Sequence, residues 1–195
     1  MLLRKYALSK SLMDIPNERS SHVSPTPRGG GLAIVAAFIL ALFFLYWRQL
    51  VSYETILASV VGGAIVAIVG FMDDHGHIAA RWRLLAHAAA SIWILIWLGG
   101  FPPITLLGTV VNFGWVGQVL AVLYLVWMLN LYNFMDGIDG IAGVEAVCVC
   151  LSASLLYWIM DIEGLTWGPL LLSASVAGFL CWNAPPARIF MGDAG

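Results

Sequence analysis

The sequence predicts an all-α fold, a polytopic bundle of transmembrane helices, and three observations carry that prediction. Hydrophobic residues make up 61% of the 195 and charged residues only 10%, with a mean hydropathy of +0.90. A soluble domain of that composition would be coated in apolar surface. The apolar residues also fall into runs close to the ~20 a helix needs to cross a bilayer, and most charges collect between the runs.

Six spans are expected, at 31–47, 55–72, 84–99, 115–133, 141–160 and 166–183. The first follows a Pro- and Gly-rich stretch, Pro25 to Gly31, where prolines discourage helix and glycines free the backbone. The second ends on Asp73-Asp74 and the third begins after Arg81 and Arg83. A Gly-rich acidic turn, 134–140, joins the fourth to the fifth, and the sixth exits through Pro185-Pro186. No repeat or flexible linker divides the chain, so 1–195 reads as one membrane domain preceded by a cytoplasmic segment at 1–30. The N-terminus lacks a signal-peptide pattern, because Arg4 and Lys5 interrupt its apolar residues.

Orientation follows from the basic residues. Arg4, Lys5, Lys10, Arg19, Arg28, Arg81, Arg83 and Arg188 all fall on one side of such a topology and Arg48 alone on the other. The richer side is expected to be cytoplasmic. The net charge of −2 has no basic run behind it, which argues against nucleic acid. Cys148, Cys150 and Cys181 lie inside spans and read as small packing residues.

The same topology gathers the acids at the cytoplasmic interface. Asp73-Asp74 sits at the end of a span, where a charge is tolerated as it would not be in mid-membrane. Two adjacent carboxylates repel, so the pair favours a nearby cation. In Asn133-Phe134-Met135-Asp136-Gly137-Ile138-Asp139-Gly140 the three polar side chains recur every third residue and would be neighbours on a helix. They suit a metal shell or hydrogen bonds to a sugar nucleotide. Asp193, between glycine and alanine near the C-terminus, is open to an ion. Magnesium commonly joins one or two carboxylates to substrate phosphates. Opposite these acids, Arg19, His22 and Arg28 are expected to clamp a lipid-linked phosphate, helped by backbone N–H groups at the start of the first span. His75, His77 and His87 lack zinc-ligand spacing, and Glu145 reads as an acid facing the bundle or the interface.

Four ordered blocks carry a resemblance. They are Asn17-Glu18-Arg19-Ser20-Ser21-His22 running into Pro25-Thr26-Pro27-Arg28-Gly29-Gly30-Gly31; Gly70-Phe71-Met72-Asp73-Asp74; Asn133 to Gly140; and Phe190-Met191-Gly192-Asp193-Ala194-Gly195. In this order the chain resembles the polyprenyl-phosphate N-acetylhexosamine-1-phosphate transferases of glycosyltransferase family 4, which include phospho-N-acetylmuramoyl-pentapeptide transferase. The resemblance implies transfer of a sugar-1-phosphate from a UDP-N-acetylhexosamine to undecaprenyl phosphate. UMP would be released, Mg2+ or Mn2+ would be the cofactor, and a lipid-linked cell-envelope glycan such as lipopolysaccharide O-antigen would be started.

The resemblance further implies catalytic roles for Asp73 and Asp74, and metal binding by Asp193 with Asp136. Asn133, Asp136, Asp139, Asn183 and Phe190 would then shape the nucleotide-sugar pocket. Asp73 acting as a base and an aspartate forming a covalent phospho-intermediate are both compatible with the residues. Expected partners are the UDP-sugar, undecaprenyl phosphate and membrane lipid, with a homodimer allowed, in the bacterial cytoplasmic membrane. Family members carry more spans than this sequence and a later histidine-bearing loop, so the chain is expected to be a fragment. Two readings of another class are an ion or proton transporter, which would place acids near mid-membrane, and a non-catalytic membrane subunit.

Overall fold

A computed structural model describes residues 2–10, 12–16 and 24–195. Seven helices occur among the described residues: α1 Leu2–Ser9, α2 Gly31–Trp47, α3 Tyr53–His75, α4 Ala80–Trp97, α5 Gly114–Met135, α6 Ile141–Ile159 and α7 Glu163–Asn183. The helices α2 to α7 cover the six apolar runs. Four of them, α3, α5, α6 and α7, are long and apolar enough to cross a membrane, whereas α2 is apolar but only 17 residues long. α4 carries Arg81 and Arg83 in its first turn.

Helix starts and stops have local causes. Ser52 caps α3, its hydroxyl accepting the Thr55 N–H at 3.2 Å. Gly140, at φ +78°, supplies the left-handed turn that enters α6. The helices pack in the lateral order α5, α4, α3, α2, α7, α6, and the contact that would close the ring, α5 on α6, is slight.

One short helix and two strand pairs lie outside the six expected spans. α1 is a short helix within the expected cytoplasmic segment, with Ala7 buried. β1 (Met13–Asp14) pairs antiparallel with β2 (Thr26–Pro27), just before α2. β3 (Ile104–Leu106) and β4 (Thr109–Val111) form a hairpin between α4 and α5, turned by Leu107 and Gly108, both in the left-handed region. None of these alters the all-α class.

Two apolar clusters fix the bundle. Leu42, Leu45, Val51 and Ile56 lock the α2–α3 turn. Ile34, Ala142, Val176 and Phe179 join α2, α6 and α7, and Ile189 and Met191 plug the C-terminal segment into that core. Ile189 and Met191 lie beyond the last span, so seating them against the helices removes apolar surface from water. That segment, 184–195, is therefore a built part of the fold, and it carries Asp193 back over the ends of the helices.

Candidate active site

The last turn of α3 presents Asp73 and Asp74 about 100° apart around the helix axis, so the two side chains have different partners. Asp73 Oδ1 accepts the Ile78 N–H at 2.7 Å, and its Oδ2 lies 2.5 Å from Arg83 Nη1. Asp74 Oδ1 accepts the Asp193 N–H at 3.2 Å, while its Oδ2 is buried with no hydrogen-bond partner among the described residues. Arg83 Nη1 reaches on to Asp193 Oδ2 at 3.3 Å. One guanidinium therefore ties the end of α3 to the C-terminal segment.

The approach is close because two glycines allow it. A Cβ on Gly70 would collide with the Asp193 carbonyl, and one on Gly192, at φ +73°, would meet the Asp74 carboxylate. Burial pushes the Asp193 carboxyl up to about 7. A hydrogen bond with Asp73 and the charges of Asp74 and Asp73 add to the rise, and Arg83 opposes it. The cluster is short of positive charge, which is the condition that invites a cation.

Of these groups Arg83 and Asp193 open onto a cavity of about 320 Å3. Arg83, His87, Asn133, Asp136 and Asp193 supply its polar wall, and Val66, Val69, Leu125, Met128 and Leu129 its apolar wall. Asp136 ends α5 as its C-cap. Burial raises its carboxyl above the ordinary range, and the Asp139 charge adds to that. An acidic, part-buried recess with an apolar flank suits a charged head group joined to an apolar chain.

The structure separates residues that the sequence grouped together. α5 stops at Met135, so Asp139 does not continue the helical face of Asn133 and Asp136. Its Oδ2 accepts the Ala187 N–H at 2.9 Å. Asn183 is 2% exposed and both ends of its amide are engaged. Its Oδ1 accepts the Gly140 N–H and its Nδ2 donates to the Ile189 carbonyl, each at 3.1 Å. The Phe190 backbone bonds to Pro27 and Gly30. Asp139, Asn183 and Phe190 thus hold the C-terminal segment in place and do not line the cavity.

The basic clamp is likewise redrawn. Arg28 Nη2 pairs with Asp14 Oδ1 at 2.5 Å and sits beside Asp74 in a separate crevice. The N–H groups of Gly30 and Gly31, expected to hold an anion, donate to the Phe190 and Met191 carbonyls at 2.9 and 2.8 Å. The C-terminal segment has taken that helix start. Arg19 and His22 lie outside the described residues.

Sequence reasoning passed over Arg83, His87 and Tyr132 as cavity residues. Arg83 and His87 are four apart at the start of α4, hence on one face, a spacing that could have flagged them. Among the described residues no three His, Cys, Asp or Glu side chains are grouped to hold a metal by themselves. The carboxylates bearing on Asp193 are Asp73 and Asp74, whereas Asp136 is affected by Asp139. Asp136 shares the cavity wall with Asp193, while Asp73 is joined to Asp193 through Arg83. Oxygen donors such as Asp73 and Asp193, beside the unpartnered Asp74 oxygen, fit a hard divalent ion that would draw its remaining ligands from water and phosphate.

Residues 56–195 match the family model described as glycosyl transferase family 4. The chain is 32% identical over 197 residues to a decaprenyl-phosphate N-acetylglucosaminephosphotransferase of Mycobacterium leprae, spanning 92% of this chain and 50% of that protein. It is 30% identical to a probable undecaprenyl-phosphate N-acetylglucosaminyl 1-phosphate transferase of Bacillus subtilis, across 100% of this chain and 54% of the relative. A phospho-N-acetylmuramoyl-pentapeptide-transferase of Streptomyces coelicolor is also 30% identical, over 93% and 63%. The chain thus spans about half the length of the first two relatives.

Proposed function

The chain belongs to glycosyl transferase family 4 and is a multi-pass membrane protein, and from that premise we propose that the whole protein transfers a sugar-1-phosphate from a UDP-N-acetylhexosamine to undecaprenyl phosphate. The observation that carries the reading is that Arg83 and Asp193 meet at the polar wall of an apolar-flanked cavity, with Asp73 joined to them through the Arg83 guanidinium. UDP-N-acetylglucosamine is the first sugar donor to test, because two of the relatives are named for that sugar. We place the site at the cytoplasmic face of a bacterial inner membrane, following the arginine and lysine bias.

In the proposed reaction an oxygen of the lipid phosphate forms a bond to the sugar-bearing phosphorus. The bridging P–O bond to UMP breaks, and UMP leaves with that oxygen. Nucleophile and electrophile are both anionic, so catalysis consists mainly of neutralising charge and holding the attack in line. Mg2+ bound by Asp73 and Asp193 would supply charge neutralisation at the diphosphate. Asp73, fixed by the Ile78 N–H, would position the lipid phosphate or take its proton. Asn133 and Asp136, on the same polar wall, offer hydrogen bonds to the donor. The apolar wall accommodates the first isoprene units.

The test is UMP release from UDP-N-acetylglucosamine in membranes supplied with undecaprenyl phosphate. Asp73→Asn and Asp193→Asn are each expected to lower the rate by about 100-fold or more, the usual loss when a transition-state charge partner is removed. Rates unchanged in both variants would reject the assignment.

A further inference from the structure

We propose that Arg83 is the resident counter-cation of the Asp73–Asp193 pair and competes with the divalent ion for Asp193. The inference rests on the reading of these two acids as a metal site.

A single nitrogen, Nη1, serves both carboxylates, at 2.5 Å from Asp73 and 3.3 Å from Asp193. The contacts are unequal. The first is a short charge-assisted hydrogen bond, whereas the second exceeds the usual ~2.7–2.9 Å for such pairs. Asp193 is therefore the partner released at the smaller cost.

Neither acid depends on Arg83 for its place. Asp73 keeps its bond from the Ile78 N–H, and the Asp193 backbone is held by Asp74 Oδ1 and seated against Gly70. An ion arriving at Asp193 displaces one long contact and leaves the acids where they are. The guanidinium then stands beside a divalent charge, and the two repel. Ion binding alone is thus weak, and a diphosphate relieves the conflict by giving both cations an anion to share. On this arrangement the ion and the diphosphate load together, which keeps an empty site from trapping metal.

Mn2+ titration of the purified full chain in detergent, followed by the electron paramagnetic resonance of free Mn2+, tests the competition without an activity measurement. Arg83→Gln is expected to bind Mn2+ about tenfold more tightly than the wild type, a change of ~1.4 kcal/mol. Arg83→Lys, which keeps the charge, is expected to bind like the wild type, and Asp193→Asn to bind at least about tenfold more weakly. Unchanged or weaker binding by Arg83→Gln, with Asp193→Asn impaired, would overturn the competition and leave the metal site standing. So would equal tightening in Arg83→Gln and Arg83→Lys, since charge would then not be the cause. Wild-type binding by Asp193→Asn would instead remove the metal from this pair, and the inference with it.

Discussion

The two ends of the bundle are closed by different means. At the end away from Asp73 and Asp193, α2, α4 and α6 each finish in a local cap. Leu50 N–H returns to the Leu45 carbonyl, Gly100 to Leu95 and Ile162 to Tyr157, and left-handed Gln49, Gly99 and Asp161 make the turns. These are Schellman-type endings, complete within six residues. At the acidic end α3, α5 and α7 finish without such caps. There the bonds are long-range: Asn183 to Gly140, Ala187 to Asp139, Phe190 to Pro27, Asp193 to Asp74. One end closes itself, and the other is closed by the segment that delivers Asp193. Changes at the first should stay local, while changes at the second should reach the chemistry.

The largest test of that contrast is Asn183→Leu, which keeps the branching and heavy-atom count of the side chain and removes both hydrogen bonds. It strands the Gly140 N–H and the Ile189 carbonyl in a buried setting. At about 1–3 kcal/mol for each of the two stranded groups, the expected loss is about 2–6 kcal/mol in detergent unfolding. UMP release should fall as well, because the freed segment carries Asp193. A destabilised variant with an intact rate would show that the segment does not position the site.

How far the sequence could be read follows the same division. The helices were legible because apolar runs of membrane length are a strong local signal, and each expected span lies on a helix within a few residues. The acidic residues were legible too, through their place at span ends. What each one bonds to was not. Asn183 looks like a polar group at a helix exit, and nothing local says that its amide joins positions 140 and 189. The N-terminus of α2 has the composition of an anion site, yet its first N–H groups are engaged by carbonyls about 160 residues away. Arg83 was hidden for another reason, since its charge served to orient the chain and its partners lie on other segments.

A middle-sized effect concerns pH. The Asp193 carboxyl, pushed up to about 7 by burial, Asp73 and Asp74, holds its proton in the folded chain where the unfolded chain has lost it. The folded state binds more protons between the ordinary value of 3.8 and about 7, so stability falls as pH rises through that window. Without divalent ions the melting temperature should decline from pH 4.5 toward pH 7.5, by a few degrees. Asp193→Asn should flatten the slope, and Mn2+ should restore stability most at the alkaline end. A slope that survives the substitution belongs to another group.

The smallest effect is expected at the self-closing end. Asp161 is exposed and sits at φ +56°, a conformation that glycine adopts without the clash of a Cβ against its own backbone. Asp161→Gly relieves that strain but gives the unfolded chain more freedom, and the two effects oppose each other. Because strain at such caps is worth about 1 kcal/mol, a net gain of about 0.5 kcal/mol is expected. The cap hydrogen bonds, which involve only backbone, should persist. UMP release and Mn2+ affinity should both match the wild type, since no long-range bond among the described residues starts from this turn. A change in either would mean that the ends communicate through α6, whose first turn packs beneath the C-terminal segment, and the division between them would have to be given up.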